Sequence, residues 1–361
     1  MRHRGASLTV PRQPSTVNRR PRGVARAIER WFALHRRPLP WRERYDPYEV
    51  WVSEVMLQQT RMEVVLGGYY ERFLERFPDV QALAKATDDE VMARWSGLGY
   101  YRRARMLRDG AIDVVERFGG TIPRMVEELL TINGIGRYTA GAIASIAYDE
   151  RAPIVDGNVA RILARVHALE APLGTPELLR DAWTHAEVLV AASTKPRELN
   201  QGLMELGALV CKPQKPLCLL CPIRSDCAAF AGGRVDELPR PKAKATTREL
   251  RIPLYLILDR DGRVLMRRES GKLMTAMFHL PHGDDSLLGG IPLRPHTGAL
   301  LGTFRHTVTT RRIEFSLYAA TLRGRAGDGY SWIDADELAS VPHPSYVRKA
   351  LRLARAKSAM P

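Results

Sequence analysis

The sequence predicts an all-α domain followed by a smaller α+β domain. From about Val24 to Cys227, apolar residues recur at helical spacing, and Gly, Pro and Asp residues interrupt the pattern. Residues 231–249 lose this periodicity and are rich in Pro, Lys and Gly, as linkers are. Beyond them, short runs of branched and aromatic residues are typical of strands. We therefore expect four regions in chain order: a basic flexible arm at 1–22, a helical domain at 23–230, a linker at 231–249 and an α+β domain at 250–361.

Each predicted element follows from a local pattern. Apolar residues three and four apart predict helices, and Asp88 and Asp89 ahead of Glu90 are typical of a helix start. On this basis we expect helices at Val24–Leu34, Tyr48–Phe77, Thr87–Ser96, Ala104–Phe118, Met125–Thr131, Tyr138–Ala147 and Pro344–Ala356. Runs of branched and aromatic residues predict strands at Ile252–Leu258, Val264–Arg268, Leu300–Phe304 and Ile313–Leu322.

The chain is strongly basic. Its 55 Lys and Arg residues exceed its 40 Asp and Glu residues, which gives a formal net charge of +15. Such an excess favours a polyanionic partner, either nucleic acid or an anionic membrane surface. No apolar run approaches the roughly 18 residues of a spanning helix, so nucleic acid is the better candidate. We expect a cytoplasmic, nucleoid-associated protein whose acid-free residues 1–22 form a basic arm, with an organelle transit peptide as the alternative.

The four cysteines of the chain lie close together in the sequence. They are spaced C-x6-C-x2-C-x5-C, as Cys211, Cys218, Cys221 and Cys227. Four thiolates this close can surround a cubane iron–sulfur cluster, which is the favoured interpretation. Zinc is the first alternative, although zinc frameworks usually bring two short C-x2-C pairs from separate segments. Disulfides are the second alternative and suit a small secreted domain better than this chain.

Residues 129–143 place two glycines between two apolar helical stretches. Gly134 and Gly136 permit a tight hairpin whose backbone amides lie at the start of the second helix, where they suit a phosphate. A bare G-x-G between helices is often an ordinary turn. Because Arg137 follows it in a basic chain, we interpret it as a helix–hairpin–helix that binds DNA.

Two carboxylates are candidates for acid–base chemistry. Glu54 lies in an otherwise apolar helical run, where burial would disfavour its charged form and make it a general acid. The alternative is a glutamate on the helix surface. Asp156 precedes a predicted helix and could simply be its N-cap. Together they offer one protonated and one ionised carboxyl, the division of labour that breaks a glycosidic bond.

Residues 95–105 combine aromatic residues on a glycine turn with a basic helix. Tyr100 on such a turn can wedge into a base stack, while Arg102, Arg103 and Arg105 hold phosphates. The alternative is a core tyrosine beside a solvated basic face.

The chain resembles the adenine DNA glycosylases of the MutY type, within the endonuclease III superfamily. The resemblance extends from about Trp31 to Cys227 and more loosely through the C-terminal domain. Seven ordered motifs carry it: LPWR (39–42), SEVMLQQT (53–60), GLGYYRRAR (97–105), GIGRYTAGAI (134–143), VDGNV (155–159), NQGLMELGALVC (200–211) and the cysteine spacing.

The resemblance implies a monomeric, monofunctional enzyme with a [4Fe–4S] cluster. It would extrude adenine opposite 8-oxoguanine or guanine from double-stranded DNA and hydrolyse the N-glycosidic bond. At the matching positions, Glu54 would protonate N7 of the adenine, and Asp156 would stabilise the positive charge that develops on the sugar. Tyr138 and Asn158 match residues that line the same site. Residues that would border the adenine pocket are Trp41, Arg42 and Glu205, and those that would insert into the duplex are Gln59 and Tyr100.

Two rival functions remain. A bifunctional glycosylase/lyase acting on oxidised pyrimidines needs a hairpin lysine to form a Schiff base, and Tyr138 stands at that position. A non-enzymatic iron–sulfur redox sensor that binds DNA would not need Glu54 and Asp156 together.

The C-terminal part resembles the Nudix-like domain with which this family reads 8-oxoguanine. Residues 269–290 lack the paired glutamates that hold divalent cations in an active Nudix hydrolase, so we expect binding only. Family members carry Phe-Ser-His soon after Phe-Arg-His-Thr, whereas here residues 304–307 lead into Val-Thr-Thr. The resemblance assigns lesion reading to Phe304, His306 and Thr309, with the family's histidine absent.

Overall fold

Helices make up most of the chain from residue 21 to residue 231, and the described strands lie from residue 248 onward. The computed structural model describes residues 21–242, 247–268, 277–282, 296–308, 311–322, 326, 329–334, 336–339, 341–357 and 359. The helices are α1 (Pro21–His35), α2 (Pro47–Leu57), α3 (Met62–Val64), α4 (Tyr70–Arg76), α5 (Val80–Lys85), α6 (Asp88–Trp95), α7 (Arg102–Phe118), α8 (Val126–Leu129), α9 (Arg137–Ala142), α10 (Gly157–Val166), α11 (Pro176–Ala192), α12 (Pro196–Leu209), α13 (Ala228–Ala231) and α14 (Ser345–Ala356).

The predicted continuous helix over Tyr48–Phe77 is wrong. The chain leaves the helical conformation after α2, where Gln59 has a left-handed backbone with φ of 57°. It kinks again inside the π-helical turn Val65–Tyr69, where Gly68 has φ of 93°. The predicted helix over Met125–Thr131 is only the single turn α8. The other predicted helices each overlap an observed helix, whereas α5 and α11 were not predicted. Helix α6 begins with a capping box between Thr87 and Glu90.

Among the described residues, 21–38 and 149–242 form one compact unit, and those within 39–148 and from 247 onward form the other. These units do not coincide with the predicted domains, whose boundaries stay a prediction. In the first unit, α1 packs against α11 and α12 around Ile28 and Phe32. Gly202 of α12 makes this approach possible, since a Cβ there would lie 2.7 Å from Ile28.

Part of the predicted linker 231–249 contacts the helices of the first unit. Leu238 is buried, and its carbonyl accepts a hydrogen bond from Arg165 Nε at 2.7 Å. The carbonyl of Arg240 accepts one from the amide of Leu173. Arg165 and Leu173 thus hold this part of the segment on the helices of its own unit.

In the second unit, α2 is the central helix and is buried on nearly every face. It packs against α4, α7 and α9. Gly110 of α7 allows a close approach, because a Cβ there would lie 2.5 Å from the carbonyl oxygen of Asn133 and 2.9 Å from the Trp51 ring. The hairpin that follows α8 is therefore held against α7 and α2.

The C-terminal strands form two three-stranded sheets among the described residues. The strands are β1 (Arg248–Ile257), β2 (Val264–Arg268), β3 (Phe278–His279), β4 (His296–Val308), β5 (Arg311–Thr321) and β6 (Tyr330–Ile333). One sheet has the order β1-β5-β4, with β1 parallel and β4 antiparallel to β5. The other has the antiparallel order β3-β2-β6. With α14, they enclose a core around Leu254, Phe315 and Val347, so the predicted α+β class is confirmed.

No helix in the described part of the chain is both long enough and apolar enough to cross a membrane.

Candidate active site and nucleic-acid interface

Glu54 lies in the second half of α2, and only 3% of its surface is exposed. The alternative of a surface glutamate is therefore wrong. Tyr138 of α9 donates a hydrogen bond from its hydroxyl to Glu54 Oε2 at 2.6 Å. The fold thus joins two predicted site residues that are 84 positions apart in the sequence.

Asp156 is the N-cap of α10. Its carboxylate accepts hydrogen bonds from the amide of Val159 at 2.7 Å and from Asn158 Nδ2 at 3.0 Å. Burial raises the pKa of Asp156, whereas these hydrogen bonds and the nearby Arg161 oppose that rise. The capping interpretation is correct, and the same amide that caps the helix also favours the ionised carboxylate.

Asn158 is fixed from two sides. Its side-chain oxygen accepts a hydrogen bond from Arg161 Nη2 at 2.8 Å, while its amide group donates to Asp156. Gly207 of α12 leaves room for it, since a Cβ there would lie 2.6 Å from the Asn158 side chain. Arg161 also donates to the carbonyl of Cys211 at 2.8 Å. The orientation of Asp156 therefore depends on residues from two helices and the cysteine loop.

The predicted hairpin lies between α8 and α9. Gly134 has a left-handed backbone with φ of 79°, and a Cβ there would lie 2.8 Å from Met106, so glycine is required. Gly136 is the N-cap of α9, and Arg137 is exposed at the first helical position. This geometry agrees with the predicted helix–hairpin–helix and suits a phosphate at the start of α9.

The three arginines of the basic helix differ in their surroundings. Arg102 is exposed. Arg105 is partly buried and pairs with Asp88 at 3.5 Å. Arg103 was predicted to bind phosphate, and the structure contradicts this. Its guanidinium donates instead to backbone carbonyls, among them that of Val55 at 2.7 Å, and burial lowers its pKa to about 10.

Gln59 and Tyr100 share an unusual backbone conformation. Both have positive φ, 57° for Gln59 and 49° for Tyr100, and both side chains are exposed. Non-glycine residues rarely adopt this conformation, and where they do the surrounding structure must hold them there. Trp95 supplies one such contact, because its Nε1 donates to the carbonyl of Gly99 at 3.1 Å. These are the two residues predicted to insert into the duplex.

The remaining substrate-binding candidates have separate surroundings. Trp41 is buried and makes an edge contact with the Tyr70 ring at 5.2 Å. Arg42 is partly buried in the short 3-10 turn Pro40–Arg42. Glu205 is buried and accepts two side-chain hydrogen bonds from Arg37, at 2.7 Å and 3.0 Å. Their place around an adenine stays a prediction.

The four cysteines line one cavity together with Arg165, which donates to Cys211 Sγ at 3.3 Å. No group of three or more His, Cys, Asp or Glu side chains in the described residues is arranged to hold a single metal ion. A zinc site needs all its sulfurs about 2.3 Å from one ion. A cubane binds each thiolate to a different iron and so holds the sulfurs further apart. Four thiolate donors fit an iron–sulfur cluster, and the choice of this cluster over zinc stays a prediction.

The lesion-reading candidates lie on β4 or beyond it. Phe304 and His306 are partly buried and face the C-terminal core, with ring centroids 5.4 Å and 6.5 Å from that of Phe315. Burial lowers the pKa of His306. Thr309 lies outside the described residues, as do most of residues 269–290. The inward packing of Phe304 and His306 gives them a structural role, and lesion reading stays a prediction.

Comparison with known proteins assigns the family. Residues 52–185 match the HhH-GPD superfamily of base excision DNA repair proteins. The chain is 37% identical over 245 residues to the adenine DNA glycosylase of Mycobacterium tuberculosis (strain CDC 1551 / Oshkosh), covering 67% of this chain and 76% of that protein. The chain belongs to the adenine DNA glycosylase family. The recognition based on its seven motifs is thereby confirmed.

Two further similarities define the extent of the match. The chain is 47% identical over 221 residues to the adenine DNA glycosylase of Rattus norvegicus, which covers 58% of this chain and 42% of that protein. It thus spans less than half the length of that relative. A solved thermostable thymine-DNA glycosylase superposes with a TM-score of 0.51 at 28% identity, covering 59% of this chain and 97% of that one. Glycosylases named for different bases are therefore similar to this chain.

Sequence reasoning missed two arginines of α10. Arg161 and Arg165 are 6% and 2% exposed, and their guanidinium groups bind backbone oxygens of the segment that carries Cys211. A signal was available, because two arginines four residues apart lie on one face of an otherwise apolar helix. Helix α10 therefore has Asp156 at its start, and its two buried arginines bind the cysteine loop.

Proposed function

We propose that this protein is a base-excision repair enzyme that removes adenine opposite 8-oxoguanine or guanine from double-stranded DNA, acting as a monomer. It would hydrolyse the N-glycosidic bond without cutting the strand. The hydrogen bond between Tyr138 and Glu54 carries the proposal. It puts a buried carboxyl beside a hydroxyl, at the position where a bifunctional enzyme needs an amine.

Glu54 acts as the general acid. It is buried and held by the Tyr138 hydroxyl, and its carboxyl delivers a proton to N7 of an extruded adenine. Protonation makes the base a better leaving group. The electron pair of the breaking bond neutralises the positive charge of the protonated ring, so adenine departs as a neutral molecule. The adenine must leave the stack first, since the carboxyl cannot reach it inside the duplex.

Asp156 stabilises the sugar as positive charge develops on it. Its carboxylate is held by Asn158 and by the amide at the start of α10, so it does not need to reorganise during the reaction. Water then completes the hydrolysis, and the abasic strand stays intact. Strand cleavage through a Schiff base would need an amine, which Tyr138 does not provide.

Base release from three duplexes tests this function. We expect free adenine from duplexes with A opposite 8-oxoguanine and A opposite G, none from thymine glycol, and strand cleavage only after hot alkali. Release from thymine glycol with direct strand cleavage would favour the lyase. Binding to all three duplexes without release of any base would favour the redox sensor.

We also propose a [4Fe–4S] cluster on the four cysteines. The cluster would cross-link the loop, while Arg165 beside Cys211 compensates negative charge on the thiolates. Anaerobically purified protein should contain about four irons per chain and absorb broadly in the visible range. About one zinc and no iron per chain would contradict the proposal.

We assign 8-oxoguanine reading to the Nudix-like C-terminal domain, with Thr309 in place of the family's serine. The inward packing of Phe304 and His306 supports a rigid strand leading to that loop. Thr310→His would restore the family's histidine and should increase the preference for A opposite 8-oxoguanine over A opposite G in single-turnover assays. An unchanged preference would exclude the loop from lesion reading.

A further inference from the structure

We propose that Arg103 is a positioning residue that fixes the loop 58–61 against the turn 97–101, so that Gln59 and Tyr100 enter the duplex as one unit. The inference rests on the proposed function and on the role in base separation that the resemblance implies for these two exposed side chains. Arg103 itself would touch neither substrate nor phosphate.

One side of the Arg103 guanidinium binds the loop after α2. Its Nη1 donates to the carbonyls of Val55 at 2.7 Å, of Met56 at 3.0 Å and of Gln58. Its Nη2 donates to Thr60 Oγ1 at 3.1 Å. The carbonyls of Val55 and Met56 belong to the last turn of α2 and have no partner within the helix. A cation at a helix C-terminus is also favoured by the helix dipole.

The other side of the same guanidinium binds the turn before α7. Nη2 donates to the carbonyl of Gly99 at 3.0 Å, and Nε donates to that of Tyr100 at 3.4 Å. The guanidinium carbon lies 5.3 Å from the Trp95 ring centroid and 5.6 Å from that of Tyr100. Arg103 therefore contacts the backbone before Gln59 and the backbone and ring of Tyr100 at once.

Only arginine can make this connection. Its planar group carries five N–H donors in a fixed fork, whereas lysine offers a single compact ammonium that cannot satisfy both segments. The connection matters because both target residues have left-handed backbones, which the surrounding contacts must hold in place. With the guanidinium gone, the two exposed side chains would move independently, and the base pair would be opened less efficiently.

The test uses 2-aminopurine beside the target adenine, whose fluorescence rises when the stack opens. Arg103→Lys and Arg103→Met should bind a duplex containing A opposite G at saturating protein but give a smaller fluorescence rise. Single-turnover adenine release should fall by roughly 10²-fold, as for a misplaced positioning group. On a duplex whose neighbouring pairs are already mismatched, the loss should shrink to about threefold, because the stack is open beforehand.

Two neighbouring arginines provide controls. Arg108 lies on the same helix and binds the carbonyl of Ala86 at 2.6 Å, so Arg108→Met measures the effect of a lost anchor away from the loops. It should lower thermal stability without reducing the fluorescence rise. Exposed Arg102 should instead contact phosphate. Arg102→Met should therefore reduce the slope of log K against log salt concentration by about one, the value of one phosphate contact, whereas Arg103→Met should leave this slope unchanged.

Three results would overturn the inference. These are a wild-type fluorescence rise in Arg103→Lys, an equal loss on the stacked and the mismatched duplexes, and a similar fluorescence loss in Arg108→Met. If Arg103→Met does not fold, Arg103→Lys decides the question alone. Failure of the wild-type protein to release adenine would contradict the proposed function instead, since the fluorescence rise is measured without base release.

Discussion

Glu54 and Asp156 are both carboxyls within or beside a helix, yet the two helices treat them differently. Glu54 lies inside α2, where the neighbouring backbone amides are used by the helix itself, and its donor is the neutral hydroxyl of Tyr138. Asp156 precedes α10, where the first amides have no partner within the helix. One of them, that of Val159, donates to Asp156.

In the proposed mechanism, this difference assigns the role of the acid to Glu54 and the role of the anion to Asp156. Inside a helix, burial opposes the charged form of a carboxyl, and the backbone amides around it are already used by the helix. A helix N-terminus supplies amide donors and a positive dipole end, which favour the anion even where burial opposes it. In the proposed mechanism, position along a helix thus distinguishes the acid from the anion.

Removing each carboxyl tests the comparison most severely. Glu54→Gln should lower single-turnover adenine release by about 10²–10⁴-fold, the usual contribution of general acid catalysis. Asp156→Asn should lower it by roughly 10²–10³-fold, because a neutral amide cannot offset the charge that forms on the sugar. Affinity for the mispaired duplex, measured by fluorescence anisotropy, should stay near that of the wild type. A near-normal rate in either variant would remove that residue from the mechanism.

The sequence predicted more of Asp156 than of Glu54. An Asp followed by Gly and Asn before an apolar run is a local capping signal, and the structure has that cap. Glu54 was ambiguous because α2 is apolar on every face, so no periodicity indicates which side is buried. Its partner Tyr138 is 84 residues away, and only the packing of α2 on α9 brings them together. The motifs therefore named the candidate site residues, but the contacts between them required the fold.

Arginine environments were the least predictable feature. Arg102, Arg103 and Arg105 look equivalent in the sequence, but the direction of each side chain on α7 separates an exposed cation from one bound to carbonyls. The break after α2 was also hidden, because Gln59 gives no signal of a left-handed backbone. Such features depend on contacts from several segments, which a local pattern does not contain.

Tyr138→Phe should have the next largest effect. The substitution removes the Tyr138 donor from a buried carboxyl oxygen, at a cost of about 1–3 kcal/mol. Release should slow by about two- to twelvefold if half of that cost is felt in the transition state. Single-turnover kinetics at neutral pH measure it. Thr139→Ser, next to Tyr138 on α9, is a matched control with only a lost methyl group, and its rate should be unchanged. An unaffected rate in Tyr138→Phe would mean that Glu54 is oriented by other contacts.

Asn158→Ala should shift the pH dependence without abolishing the reaction. The Asn158 side chain lowers the pKa of Asp156, which burial raises, so its loss should raise that pKa further. Because the reaction needs the ionised carboxylate, the rate falls as pH drops through this pKa. The acid limb of the rate profile should therefore move to higher pH in Asn158→Ala. Tyr138→Phe should leave this limb in place, and an unmoved limb in Asn158→Ala would separate Asn158 from Asp156.

The smallest expected effect is on stability. Because burial raises the pKa of Asp156, the folded protein binds this proton more readily than the unfolded chain does. Asp156 thus adds most to the free energy of unfolding at low pH. This contribution declines as the pH rises from the pKa of an Asp in the unfolded chain to the raised pKa of Asp156 in the folded protein. Asn keeps the cap without the charge, so the melting temperature of Asp156→Asn at pH 7 should match or exceed that of the wild type. The difference between the two melting temperatures should shrink towards pH 4, roughly the usual pKa of an Asp.

A matched substitution separates this effect from capping itself. Asp46 is the exposed N-cap of α2 and accepts hydrogen bonds from the amides of Tyr48 and Glu49. Asp46→Asn loses a charge beside a helix dipole but relieves no burial, so its melting temperature at pH 7 should fall slightly, by an amount worth about 0.3–1 kcal/mol. Opposite signs for the two variants at pH 7 would show that burial opposes the charge at Asp156 and not at Asp46. If Asp156→Asn also lowers the melting temperature, the amide and dipole at α10 stabilise the anion more strongly than burial disfavours it.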